Sequence, residues 1–292
     1  MTGLPTILGI PFDGQSSYLR GTAEAPMKIR DAMNCDASNR WTELGVDLGA
    51  RGAFEDAGDL EFSERTLANP RVSQNEPTIE HPSSSDVLQG RYPAFEVIED
   101  RIARLIDQDQ RPVSLGGDHS ITYPIVKAFA QKYPELTVFH FDAHPDLYDE
   151  FEGNRLSHAC PFARIMESGL AKRLVQVGIR TATGHQREQA KKFGVEMVEM
   201  RSLPAHGKLM ASGPVYISFD MDVLDPAFVP GVSHREPGGM TVREAIAHLL
   251  AVEAQIVGAD VVEYNPVQDI DGMTAIVAAK IVKEILGKMI VG

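Results

Sequence analysis

Apolar, often β-branched runs recur along the chain at Thr6–Phe12, Val113–Leu115, Thr137–Phe141, Leu174–Ile179, Val215–Phe219 and Val257–Val262. They are short and rich in Val, Ile and Phe, so they read as buried strands. Between them the apolar positions shift to a spacing of three or four residues. This pattern predicts helices at Phe95–Ile106, Ile125–Tyr133, Gln186–Phe193, Val242–Val252 and from about Gly272 to Ile290. In the last of these, Met273, Val277, Ile281 and Ile285 share one stripe. Lys280, Lys283, Glu284 and Lys288 fall largely elsewhere, and Asp271 is placed to cap the start. Strands without polar alternation, separated by such helices, predict a parallel sheet covered on both faces. The expected fold is a single three-layer α/β/α domain over residues 1–292 with a mostly parallel central sheet.

One stretch breaks the rhythm. From Ala53 to Tyr92 the chain is rich in Glu, Asp, Pro and Ser, includes Ser83-Ser84-Ser85 and carries little periodicity. It is expected to be a long surface excursion, either a rim over a site, a subunit contact or a tolerated insertion.

The formal charge of -13 disfavours nucleic acid and anionic membranes as partners, because both want clustered Lys and Arg; a small cationic substrate suits it better. Two cysteines, Cys35 and Cys160, are too few for a disulfide framework or a thiolate metal site. The apolar runs are far too short to cross a bilayer. The start Met1-Thr2-Gly3-Leu4-Pro5 lacks a basic segment followed by an apolar one, so a cytoplasmic protein is expected.

Four polar clusters each follow a predicted strand directly: Gly116-Gly117-Asp118-His119-Ser120, Asp142-Ala143-His144-Pro145-Asp146, Asp220-Met221-Asp222 and Glu263-Tyr264-Asn265-Pro266. All four are expected at one edge of the sheet, beyond the carboxyl ends of the strands, where open α/β sheets bind ligands. Asp142, His144 and Asp146 alternate with Ala143 and Pro145, so an extended backbone would send all three to one side, and Asp220 and Asp222 repeat the arrangement. His119 ends a glycine-bearing loop that can pack closely. Four aspartates gathered together would cost roughly several kcal/mol each unless cations compensate them. Two histidines with four carboxylates and no thiolate favour hard or borderline divalent ions, Mn²⁺ first, with Co²⁺, Ni²⁺ or Zn²⁺ as substitutes. One ion does not need six ligands, so two are expected.

These motifs resemble those of the ureohydrolase family, the arginases and agmatinases, over nearly the whole chain. The three family signatures stand here as GGDHS at Gly116–Ser120, FDAHPD at Phe141–Asp146 and SFDMDVLDPAFVPG at Ser218–Gly231. The chain looks most similar to the plant-type arginases, through Glu152–Ala159, Gly231–Gly239, Asp260–Pro266 and Asp271–Lys280. The resemblance implies that His119, Asp142, Asp146 and Asp220 hold one Mn²⁺ and that Asp142, His144, Asp220 and Asp222 hold the other. Asp142 and Asp220 then bridge the pair, together with a hydroxide that attacks the guanidino carbon and releases urea. A guanidinium is a poor electrophile, and two ions about 3.5–4 Å apart supply the strong nucleophile it needs at neutral pH.

The resemblance also makes Glu263 the carboxylate that grips the guanidinium through paired hydrogen bonds, and His158 the histidine that moves protons toward the leaving amine. Asp118 is expected to orient a metal-binding histidine. His234 is expected either to touch substrate or to order its own loop. Arginine differs from agmatine by one carboxylate, for which Asn154, Arg155 and Ser157 are the candidate donors, although plant-type arginases usually carry an aromatic residue where Leu156 stands. L-Arginine is therefore the expected substrate, with agmatine, 4-guanidinobutyrate and guanidine as alternatives. A deacetylase-like amidohydrolase and a non-catalytic binding protein are the rival classes. The family implies a homo-oligomer, trimer or hexamer, serving either nitrogen recovery or polyamine supply.

Overall fold

The architecture is that of a computed structural model, which describes residues 3–67, 92–205 and 207–292. Among the described residues there are eight strands: β1 (Leu4–Gly9), β2 (Glu55–Asp59), β3 (Gln110–Leu115), β4 (Thr137–Phe141), β5 (Arg173–Ile179), β6 (Glu196–Glu199), β7 (Met210–Asp220) and β8 (Glu253–Val262). They form one sheet in the order β2-β1-β3-β8-β7-β4-β5-β6, and every neighbouring pair is parallel. The helices are α1 (Ala25–Asn34), α2 (Pro93–Asp107), α3 (Thr122–Lys132), α4 (Pro161–Glu167), α5 (Gly184–Phe193), α6 (Val242–Leu250) and α7 (Met273–Val291), with a single helical turn at Glu64–Leu67.

The strand pleat sorts side chains into two cores. From β4, Phe139 and Phe141 enter one core with Ile29 of α1, Ile246 of α6 and Ile281 of α7, while Val138 enters the other with Ile98 of α2, Phe129 of α3 and Phe162 of α4. Both faces are therefore covered, which is why the central strands carry no polar alternation. Full burial of a side chain such as Phe141 contributes roughly 1.5–3 kcal/mol.

All six expected strands and all five expected helices are present. The elements missing from the pattern are β2, β6, α1 and α4. Strands β2 and β6 lie at the two edges of the sheet, β2 mostly solvated and β6 only partly covered, so neither carries a long apolar run. The expectation of an aperiodic excursion from Ala53 to Tyr92 is thus corrected at its start. Glu55–Asp59 pairs with β1 and is clamped by Arg30 of α1, whose guanidinium bonds Asp56 at 2.8 Å and also reaches Asp59. Residues 68–91, including the serine run, lie outside the described residues.

Two details of α7 also differ from expectation. The carboxylate that caps its start is Asp269, which accepts the N–H groups of Thr274 and Ala275 at 3.0 and 3.1 Å; Asp271 instead takes a left-handed backbone, with φ of 52°. The buried stripe runs through Ala278, Ile281, Ile285 and Met289, leaving Met273 exposed. Glu284 is buried and accepts the Glu43 N–H.

The sheet order decides where chemistry can happen. Strands β3, β8, β7 and β4 are consecutive at its centre, and the four polar clusters follow those four strands. Register pairs Leu115 with Val261, Val262 with Asp220 and Phe219 with Phe141, so the clusters leave the sheet at one level.

Candidate metal centre

Each cluster turns sharply as it leaves its strand. Gly117 lets the loop after β3 press on the N-terminal loop, since a Cβ there would lie 1.9 Å from the Phe12 carbonyl oxygen. His119 then opens a 3-10 turn, His119–Ile121. The expected extended alternation after β4 is corrected. Asp142 accepts the His144 N–H at 2.6 Å, and Asp146 adopts a left-handed φ of 48°, so a bent segment brings the three side chains together. After β7 the same applies: Asp220 accepts the Asp222 N–H at 2.8 Å and caps the 3-10 turn Met221–Val223.

All six expected metal-binding residues converge. His119 Nδ1 lies 3.2 Å from Asp142 Oδ2, 3.1 Å from Asp146 Oδ2 and 3.0 Å from Asp220 Oδ2. His144 Nδ1 lies 2.9 Å from Asp222 Oδ2 and 3.4 Å from Asp142 Oδ1. Asp142 thus turns one oxygen to each histidine. Burial and the Asp222 and Asp142 charges push the Asp220 carboxyl well above the ordinary range; burial chiefly raises Asp222 to about 6, against His144. Burial resists ionisation of Asp142 as well, but His140, His119 and His144 hold its carboxyl well below that range.

Divalent cations fit these residues. Buried His119 Nδ1 makes no hydrogen bond, although three carboxylate oxygens surround it. A donor set of imidazole nitrogen and carboxylate oxygen without thiolate suits hard or borderline ions.

The expected substrate groups lie beside this constellation. Glu263 leaves β8 with a left-handed φ of 62°, and its Oε1 accepts the His119 N–H at 2.9 Å and meets His158 Nδ1 at 3.0 Å. His158 Nε2 sits 2.8 Å from Ser17 Oγ. Burial opposes the imidazolium of His158, but Glu263, Asp118 and Asp146 outweigh it and the pKa is pushed up to about 9. A cavity of about 170 Å³ opens between His144, His158, Asp222 and Glu263. His234 lines it too, its ring 5.2 Å from His158 and 5.6 Å from Tyr18.

Three expected substrate donors are not brought to this cavity. Arg155 turns away, bonding Asp149 at 2.7 Å and Glu167 at 2.8 Å. Asn154 bonds Gln15 Oε1 at 2.6 Å and caps its own turn through the Leu156 N–H, and the hydroxyl of buried Ser157 accepts a long 3.4 Å contact from the Ala159 N–H. Ser17, Thr181 and Thr183 line the cavity instead. Asp118 also differs from expectation. Its carboxylate accepts the N–H groups of Gln15 and Ser120 at 2.9 and 3.0 Å and so ties the N-terminal loop down; among the described residues no ring nitrogen is among its hydrogen-bond partners.

Residues to which the sequence reading gave no role support the constellation from below. His140 Nε2 lies 2.7 Å from Asp142 Oδ2, and its ring stacks on Phe162 at 3.8 Å. His119 Nε2 lies 3.0 Å from Ser218 Oγ, which bonds Asp260. The signal was legible: His140, Ser218 and Asp260 each interrupt an otherwise apolar stretch of strand.

Comparison with known proteins agrees with this geometry. The sequence profile described as the Arginase family matches residues 5–287. A protein named mitochondrial arginase from Medicago truncatula is 44% identical over 97% of this chain and 81% of its own length. The solved structure of Medicago truncatula arginase matches with a TM-score of 0.87, covering 99% of this chain and 88% of that one. An agmatinase from Bacillus cereus is 31% identical over 96% of this chain and 90% of its own length. The expectation of a cytoplasmic protein is corrected by these relatives, because the plant arginase is named as mitochondrial. Among the described residues no helix is long and apolar enough to cross a membrane. The family match along almost the whole chain, on a parallel sheet that gathers these histidines and aspartates at one edge, makes this chain a member of the arginase family of binuclear-metal ureohydrolases.

Proposed function

We propose that this chain hydrolyses L-arginine to L-ornithine and urea, as one catalytic unit spanning residues 1–292. The observation that carries this reading is the shared position of Asp142, with Oδ2 toward His119 and Oδ1 toward His144, beside a cavity that Glu263 and His158 line. His119, Asp142, Asp146 and Asp220 would hold one ion, and Asp142, His144, Asp220 and Asp222 the other. Mn²⁺ is the preferred ion, with Co²⁺, Ni²⁺ or Zn²⁺ able to substitute. When bound, the pair supplies a nucleophile by lowering the pKa of a water from about 15.7 to about 7.

The protein's own groups do the rest. Glu263 is buried, is held in place by the His119 N–H, and offers its carboxylate to a guanidinium, which displaces His158 from Oε1. Freed from that ion pair, His158 carries a proton toward the leaving nitrogen, with Ser17 steadying its other ring nitrogen. The substrate's far end is left among Ser17, Thr181 and Thr183, which line the cavity.

Arginine is preferred to agmatine on overall likeness, 44% identity to an arginase against 31% to an agmatinase. Arg155 no longer contributes to that preference. Urea release from Mn²⁺-loaded protein, measured side by side with arginine, agmatine, 4-guanidinobutyrate and guanidine, should favour arginine by at least about 10-fold in kcat/KM, a gap of about 1.4 kcal/mol. Release of no urea from any of the four, with two ions shown to be bound, would overturn the reading. A homo-oligomer is supported by an exposed apolar surface at Val267, Ile270, Met273 and Ile276, each half or more exposed. Light scattering should return the mass of a trimer or hexamer, and a monomer at assay concentration would rule that out.

A further inference from the structure

We infer that Asp260 is a positioning residue that sets, through Ser218, which ring nitrogen of His119 carries the proton. Asp260 lies in the middle of β8, fully buried. Three hydroxyl groups donate to it: Ser218 Oγ at 2.7 Å on Oδ1, and Thr122 Oγ1 and Tyr216 OH at 2.8 and 2.7 Å on Oδ2. Among the described residues none of its hydrogen-bond partners is a cation. A buried carboxylate is costly without such partners, and a core that needed only apolar filling would not keep one here.

The chain has a direction. A carboxylate accepts and does not donate, and a serine hydroxyl has one proton. Ser218 spends that proton on Asp260, so toward His119 Nε2, 3.0 Å away, its oxygen can only accept. His119 therefore carries its proton on Nε2, and Nδ1 keeps its lone pair toward Asp142, Asp146 and Asp220. Hydrogen bonds to the far nitrogen commonly fix the tautomer and aim of a metal-binding imidazole. Here the carboxylate acts one residue removed, through a hydroxyl. Thr122 and Tyr216 hold the remaining oxygen and keep Asp260 from turning.

This inference rests on the proposed metal centre and can fail separately from it. In Asp260→Asn, Thr122 and Tyr216 are both donors and hold the amide oxygen on their side, so the amide NH₂ faces Ser218. Ser218 must then donate to His119 Nε2, which drives the ring proton onto Nδ1. The expected result is selective. Wild-type protein should retain two Mn²⁺ per chain after gel filtration and the variant one, with affinity at the His119 position lower by the top of a roughly 10–100-fold range. In protein exposed to diamagnetic Zn²⁺ and labelled with ¹⁵N-histidine, the His119 N–H signal should lie on Nε2 in the wild type, whose Nδ1 holds the ion, and on Nδ1 in the variant, whose His119 position has lost its ion.

Should Asp260→Asn fail to fold, Ser218→Ala tests the same relay. It leaves Nε2–H without its acceptor and should weaken the His119 position by about 10-fold while the His144 position keeps its affinity. If Asp260→Asn retains both ions with wild-type affinity and merely melts earlier, Asp260 is only a core hydrogen-bond partner and the inference is overturned; equal weakening of both positions would overturn it too. If wild-type protein binds no divalent ion, the metal reading fails and this inference with it.

Discussion

The two histidines of the candidate metal centre occupy opposite environments. The His119 side chain is 0% exposed, edge-on to His140 and Phe162, and held from behind by Ser218 and Asp260. His144 is 24% exposed, borders the cavity, and has the partly exposed Glu236 near its Nε2, at 3.7 Å. One half of the centre is built into the protein interior and the other stands at the mouth. A buried half can be preorganised by hydrogen bonds but tolerates no unpaired charge. An open half can exchange ligands and meet substrate because water compensates what the protein does not.

The largest expected effect breaks this comparison directly. His119→Ala should destabilise metal-free protein by about 3–5 kcal/mol, because it strips a partner from buried carboxylates. His144→Ala, whose site water can reach, should cost about 1–2 kcal/mol, in the range of one lost charged hydrogen bond. Urea denaturation of the two variants reads the difference, and equal losses would mean that the two halves are not distinct. Both variants should lose most urea-releasing activity, since each removes one ion's nitrogen donor.

A smaller effect concerns the open half's neighbour. Burial opposes protonation of His158, but Glu263 and the nearby aspartates raise its pKa to about 9, against an ordinary value near 6.5. A raised pKa contributes stability that is complete below about pH 6.5 and is lost as pH rises through about 9. Metal-free wild-type protein should therefore lose about 2–3 kcal/mol of stability between those values. His158→Asn should flatten that part of the curve, and an unchanged slope in the variant would show that the ion pair with Glu263 is not its source. The smallest effect sharpens the boundary of the open half. Arg155 is engaged with Asp149 and Glu167 on the surface, so Arg155→Ala should change stability by no more than about 1 kcal/mol. It should shift the arginine-to-agmatine preference by less than about 2-fold, or about 0.4 kcal/mol; a larger shift would put its guanidinium back in the substrate site.

Much of this was readable before any coordinates. The apolar runs of β3, β4, β7 and β8 named buried parallel strands because only a strand covered on both faces can be apolar throughout. Polar clusters at the ends of such runs had to sit together at a sheet edge, and the six metal-binding candidates came from that logic. The edge strands β2 and β6 were not readable, because an edge strand is held by backbone pairing and needs no apolar signature. The loop Asn154–Ser157 misled because motif position says which residues are near a site, while side-chain direction depends on competing partners; for Arg155 these were Asp149 and Glu167.

The sequence by itself determined the strand and helix alphabet, the family and the chemistry-bearing residues, since these follow from local periodicity and side-chain type. Only the tertiary structure decided that β3, β8, β7 and β4 are neighbours, that Asp142 faces both histidines, and that Ser218 and Asp260 stand behind His119. Those relations join residues as many as 146 positions apart, as between Val113 of β3 and Ala259 of β8, and no local pattern encodes a pairing that sheet order alone creates.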